Sequence, residues 1–145
     1  MNEIFQELQQ IYAELAIEIS QLERKPKCYD CGACCNFNYF DHTPFITELE
    51  LQNIRAGLLS NPEISMLLSI QQDENLCPFF INQTCKAHEL RPLSCRVYFC
   101  NIDYENNVAN EIYEKYHRKI KLLHEKSGIS YLYLPFVRVL RNLNF

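Results

Sequence analysis

A chain of 145 residues fits one compact domain and would cramp a second. Hydrophobic residues make up 48% of it, enough for a continuous core and too many for a disordered chain. The formal net charge of -4 is mild and carries no clustered basic footprint for nucleic acid.

The chain opens on Met1-Asn2-Glu3-Ile4-Phe5-Gln6-Glu7, acidic and polar, with no basic stretch ahead of an apolar one. That stretch does not read as a signal peptide. The longest apolar runs, Met66 to Leu68 and Tyr131 to Phe136, are far too short to span a bilayer. The expected address is therefore the cytoplasm, where thiols stay reduced and clustered cysteines favour metal over disulfides.

Residues 1–25 read as an amphipathic helix. Ile4, Leu8, Ile11, Leu15, Ile19 and Leu22 recur at steps of three and four, which lines them up as one apolar stripe. Pro26 sets the stop near Arg24. The stripe serves either packing on the chain's own domain or a protein partner, and its short length favours the first.

The first cysteine block follows as Cys28-Tyr29-Asp30-Cys31-Gly32-Ala33-Cys34-Cys35, then an aromatic-rich link from Phe37 to Phe45. Thr47-Glu48-Leu49-Glu50 is a capping box and predicts a helix from Glu48 to about Gly57. Asn61-Pro62-Glu63 predicts a second start, with proline in the first helical position. The second cysteine block runs from Cys77 to Cys100. Beyond a turn at Asn106-Asn107, residues 106–145 form the C-terminal part. Ala109, Ile112, Tyr113, Tyr116, Ile120 and Leu123 mark an amphipathic helix stopped by Ser127-Gly128. Tyr131 to Leu134 reads as a short strand, and Pro135 opens a last helical turn or two through Val139, Leu140 and Leu143. The expected fold is mainly α: a small single domain, residues 1–145, whose helices surround irregular cysteine-rich loops in a core spanning residues 28–100.

All eight cysteines fall in the two blocks. Block one holds Cys28, Cys31, Cys34 and Cys35. Block two holds Cys77, Cys85, Cys95 and Cys100. A two-residue gap lets the chain fold back so that two sulfurs face one centre, and Gly32 permits the positive φ such turns need. The adjacent Cys34 and Cys35 diverge, so one serves the main centre and the other a second centre, a bridge or redox chemistry. Inert core thiols are disfavoured because half of the cysteines lie within eight residues. A disulfide framework is disfavoured by the expected address and by a core large enough to do without staples. Metal ligation is the reading that remains, with all eight as candidate ligands.

The combined pattern resembles the bacterial YkgJ-like cysteine-cluster family, whose domains are described as zinc- or iron-chelating. The resemblance rests on Cys28, Cys31, Cys34 and Cys35, then Cys77-Pro78, Cys85, Arg91-Pro92 and Cys95-Arg96, completed by Tyr98-Phe99-Cys100. It covers residues 28–100 and implies a metal centre. It implies no settled activity. A similar cysteine domain accompanies an iron–sulfur cluster in bacterial flagellin lysine methylases, although this chain looks too short for a full methyl-donor domain.

Cysteine-only sites suit zinc and iron–sulfur clusters alike. Three close cysteines plus a distant cysteine followed by proline is an iron–sulfur arrangement, and tilts the reading to a [4Fe-4S] cluster, with zinc the alternative. Arg91 and Arg96 lie among the ligands, able either to donate to sulfur or to serve in a salt bridge or a helix C-cap contact. His88, three residues past Cys85, is a weaker ligand candidate. Asp41 and His42 form a possible acid–base pair. No P-loop, dinucleotide fingerprint or nucleophile elbow is present, so an enzymatic role stays open. Three function classes follow: a redox or cluster-carrying protein, a zinc-stabilised interaction module whose N-terminal helix or aromatic tail meets a partner, and metal storage, delivery or sensing. Methyl transfer is a more distant fourth.

Overall fold

The computed structural model describes residues 2–23, 26, 44–70, 73–98 and 108–143. Cys28, Cys31, Cys34, Cys35 and Cys100 lie outside the described residues, as do Asp41, His42 and the Asn106-Asn107 turn. The fold is mainly α, as the periodicities predict. Six α-helices run in the order α1 (Asn2–Ser20), α2 (Glu48–Leu59), α3 (Pro62–Leu67), α4 (Leu93–Val97), α5 (Ala109–Ser127) and α6 (Phe136–Arg141) among those residues. Two short antiparallel sheets accompany them, β1 (Phe45–Thr47) with β4 (Tyr133–Pro135) and β2 (Phe80–Ile81) with β3 (Thr84–Cys85).

Helix α1 packs along α5. Leu8, Tyr12, Leu15 and Ile19 are buried against Ile112, Tyr116, Ile120 and Leu123. Tyr12 belongs in this stripe although it is not an aliphatic. Three ion pairs flank the seam: Glu7–Lys126, Glu14–Lys119 at 2.9 Å, and Glu18–Lys115. Steps of seven and four on α1 match equal steps in reverse on α5, so one antiparallel register satisfies all three. These exposed pairs select register more than they add stability. The helix ends at Ser20, earlier than the expected Arg24. There the Leu22 N–H donates to the Ile19 carbonyl at 3.2 Å, tightening the final turn well before Pro26 intervenes.

The capping box is present. Thr47 Oγ1 accepts from the Glu50 N–H at 3.3 Å, and the Glu50 carboxylate accepts from the Thr47 N–H at 3.1 Å. Helix α2 extends to Leu59, two residues past the expected end, because Leu58 is fully buried and keeps the last turn docked. Asn61 caps α3 through the Ile64 N–H at 3.3 Å, with Pro62 first in the helix. Helix α5 ends as expected at Gly128, whose φ of 76° places it in the left-handed region.

Two points differ from the sequence reading. The strand expected over Tyr131 to Leu134 runs from Tyr133 to Pro135. It pairs with β1, whose first residue, Phe45, also ends the aromatic link. The pairing joins segments far apart in sequence, and local pattern cannot reveal it. The second block is also less irregular than expected, since Cys85 lies on a strand and Cys95 on a helix.

The core has two clusters. The first joins α1, α4 and α5, with Leu49 of α2. The second joins Ile46, the rest of the apolar face of α2, residues 77–87 and α6. Helix α4 sits between them. Leu93 and Val97, four residues apart, face the first cluster, whereas Cys95 between them packs against the second.

One surface prediction arises from α5. His117 stacks on Tyr113 with centroids 5.3 Å apart, meets Tyr133 at 5.0 Å, and shares a 2.7 Å hydrogen bond with the Tyr131 hydroxyl. Tyr113 and Tyr133 join through their hydroxyls. Burial pulls the His117 imidazole below its ordinary value, with Lys121 and His124 acting the same way and Glu114 opposing. The native state then binds fewer protons there than the unfolded chain. This contribution to stability is full above the unfolded value, about 6.5, and is lost as pH falls through the lower native value. The melting temperature of the wild type is expected to drop more steeply from pH 8 to 5 than that of His117→Gln. Parallel pH profiles would remove His117 from the account.

Candidate metal centre

Three elements carry the described cysteines of block two. Cys77 precedes Pro78 in a tight turn closed by the Phe80 N–H donating to the Cys77 carbonyl at 2.9 Å. It is 5% exposed. The β2–β3 hairpin follows. Asn82 and Gln83 have φ of 52° and 67°, so both central residues of the two-residue loop are left-handed, as a type I′ turn requires. The turn-like stretch noted before Cys85 is this loop. Its register places Cys85 directly across from Phe80. Such partners share a face, and because Phe80 is buried in the second cluster, Cys85 is turned toward it too. Cys95, on the corresponding face of α4, completes the set. All three cysteines pack in or against the same apolar cluster.

Among the described residues, no group of three or more His, Cys, Asp or Glu side chains is placed to hold a metal ion. Block two thus contributes thiols to one region without closing a site among its own described members. His88 opens a short 3₁₀ turn, His88–Leu90, with its Nδ1 4.0 Å from the Glu89 carboxylate.

The two arginines settle α4 and its approach. Arg91 Nε donates to the His88 carbonyl at 2.8 Å, and Nη1 reaches the Cys95 carbonyl at 3.5 Å. Arg96 Nε donates to the Arg91 carbonyl and Nη2 to the Glu89 carbonyl, both at 2.6 Å. Of the two roles considered, these bonds fit capping of backbone ends. The Arg96 guanidinium also lies over the Tyr12 ring, 4.0 Å from its centroid. Burial pulls Arg96 below its usual range, with Arg91 adding to the effect. Burial likewise pushes the Tyr12 phenol well above its ordinary value; Glu50 adds to this, and Arg96 opposes it. Tyr12 therefore stays protonated and acts as a donor.

Sequence reasoning missed Tyr12 and Glu50 as parts of this region. The capping box marked Glu50, but only as a local cap. The motif gave no sign of its long-range bonds.

A family model matches residues 27–119, more than half of the chain, and spans both cysteine blocks. The chain belongs to the CxxCxxCC family. That family is described as a "putative zinc- or iron-chelating domain", which supports metal binding. The match extends past Cys100 into α5, so part of that helix belongs to the family pattern, beyond the boundary the cysteines alone marked. No curated protein and no solved structure matches the chain. No helix among the described residues is long and apolar enough to cross a membrane.

Proposed function

We propose that this CxxCxxCC protein carries a thiolate-ligated iron–sulfur cluster and acts in the cytoplasm as a redox or cluster-carrying protein. The observation that carries the reading is the gathering of Cys77, Cys85 and Cys95, from a turn, a strand and a helix, onto one apolar cluster. Thiolates are soft donors suited to iron–sulfur clusters and to zinc. Cys77 is buried beside Pro78, Phe79 and Phe80, which would give such a cluster a water-poor shell, a main control on its potential.

Cys77, Cys85 and Cys95 would hold the centre from one side, with Cys28, Cys31, Cys34, Cys35 and Cys100 supplying the remaining ligands and any spare thiols. When bound, the cluster would supply one-electron chemistry. The chain itself supplies the thiolates, excludes water around Cys77 and orients Cys95 through α4.

Iron, zinc and acid-labile sulfide, measured on anaerobically purified protein together with visible absorption, test the reading. Iron and sulfide in equal amounts with a brown chromophore are expected. Colourless protein with stoichiometric zinc would replace the reading with the zinc-stabilised module. Metal that exchanges readily with a modest competitor would favour storage, delivery or sensing.

A further inference from the structure

Glu50 is 2% exposed yet carries more polar contacts than a helix cap needs. Its Oε2 accepts from the Thr47 N–H at 3.1 Å and from Thr47 Oγ1 at 3.0 Å, which is the local capping role. Its Oε1 accepts from two donors far away in sequence. One is the Tyr12 hydroxyl on α1 at 2.8 Å. The other is the Leu93 N–H, the first residue of α4, at 2.7 Å. Both carboxylate oxygens are thus doubly satisfied, the condition under which a buried carboxylate is tolerated.

The geometry has a mechanical consequence. Helix α4 is only five residues long and would not persist alone. Glu50 holds its first N–H. Tyr12, held by the same oxygen, carries the Arg96 guanidinium on its ring near the other end. Ser94 Oγ adds a bond to the Phe45 carbonyl at 2.7 Å. Cys95 sits between these anchors, facing the second cluster. A shift of α4 by a fraction of a turn would change where its sulfur meets that cluster.

We propose that Glu50 is a positioning residue for the metal centre: by fixing the start of α4 and the Tyr12–Arg96 contact, it sets where the Cys95 thiolate points. This rests on the reading of Cys95 as a ligand.

The test uses Co²⁺, which reports convergent thiolates whichever metal is resident. The full-length apoprotein is titrated with Co²⁺ and followed by sulfur-to-cobalt charge-transfer and ligand-field absorption, with far-UV circular dichroism as a check on the fold. Glu50→Gln is expected to lower Co²⁺ affinity about 10–100-fold, the usual cost of losing an outer-shell partner, and to shift the ligand-field bands. In a Cys95→Ser background the same substitution is expected to cost about twofold or less, because the group through which it acts is gone. An equal loss in both backgrounds, or no loss with wild-type bands, overturns the proposal. Should Glu50→Gln fail to fold, Tyr12→Phe removes a single donor to the same oxygen. It is expected to give a smaller loss that again vanishes with Cys95→Ser, and its persistence there would equally overturn the proposal. Wild-type protein giving no charge-transfer band with Co²⁺ would defeat the metal reading itself, and this inference with it; normal wild-type binding with an unaltered Glu50→Gln defeats this inference alone.

Discussion

Replacement of Cys77 by alanine or serine is expected to abolish stoichiometric metal while leaving most of the helix content in place. Apparent binding free energies of structural zinc sites are about 10–16 kcal/mol, so loss of one ligand weakens retention by a large factor. The frame around Cys77 does not depend on the metal alone. The first cluster, with Leu8, Leu15, Ile120 and Leu123, lies on the far side of α4 and buries its own apolar surface. The expected result is therefore local loosening around residues 77–95 rather than global unfolding. The two substitutions separate ligation from packing. Serine leaves a hydroxyl in an apolar cluster, a burial cost of about 1–3 kcal/mol, whereas alanine does not. Metal analysis and circular dichroism of both variants decide the matter. Full metal content in Cys77→Ala would show that Cys77 is not a ligand.

The second large effect is expected at the α1–α5 seam. Leu8 is 0% exposed, and its truncation to alanine should cost about 2–5 kcal/mol, as buried leucines do when the site cannot collapse. Ile17 lies on the same helix but is 57% exposed, and Ile17→Ala should stay within about 0.5 kcal/mol of wild type. Thermal melts at several protein concentrations provide the measurement. The apolar stripe of α1 is covered by α5 of its own chain, so the Leu8→Ala loss should not vary with concentration. A stripe serving chiefly a partner would instead make the melting temperature climb with concentration and leave the Leu8→Ala loss small in dilute protein.

Much of the fold was legible because its signals are local. The α1 and α5 stripes recur at helical spacing. Thr47 with Glu50, Asn61 with Pro62, and Ser127 with Gly128 each mark a helix end within a few residues. The cysteine spacing pointed to metal binding, in keeping with the family match, and the turn-like stretch before Cys85 is the local turn at Asn82-Gln83. Strand β1 escaped notice because three residues carry no usable period, and because its partner β4 lies in the C-terminal part of the chain.

By itself, the sequence determined that helices dominate, where most of them start and stop, and that its eight cysteines fall in two blocks. Those properties follow from backbone sterics, capping and residue chemistry, which act over a few positions. Only the tertiary structure decided that Cys77, Cys85 and Cys95 share one cluster, that α4 turns its two faces to different cores, and that Glu50 joins α1, α2 and α4. Those properties depend on which distant segments exclude water from one another. A buried carboxylate must take its donors from whichever elements pack around it, and no local pattern in the chain names them.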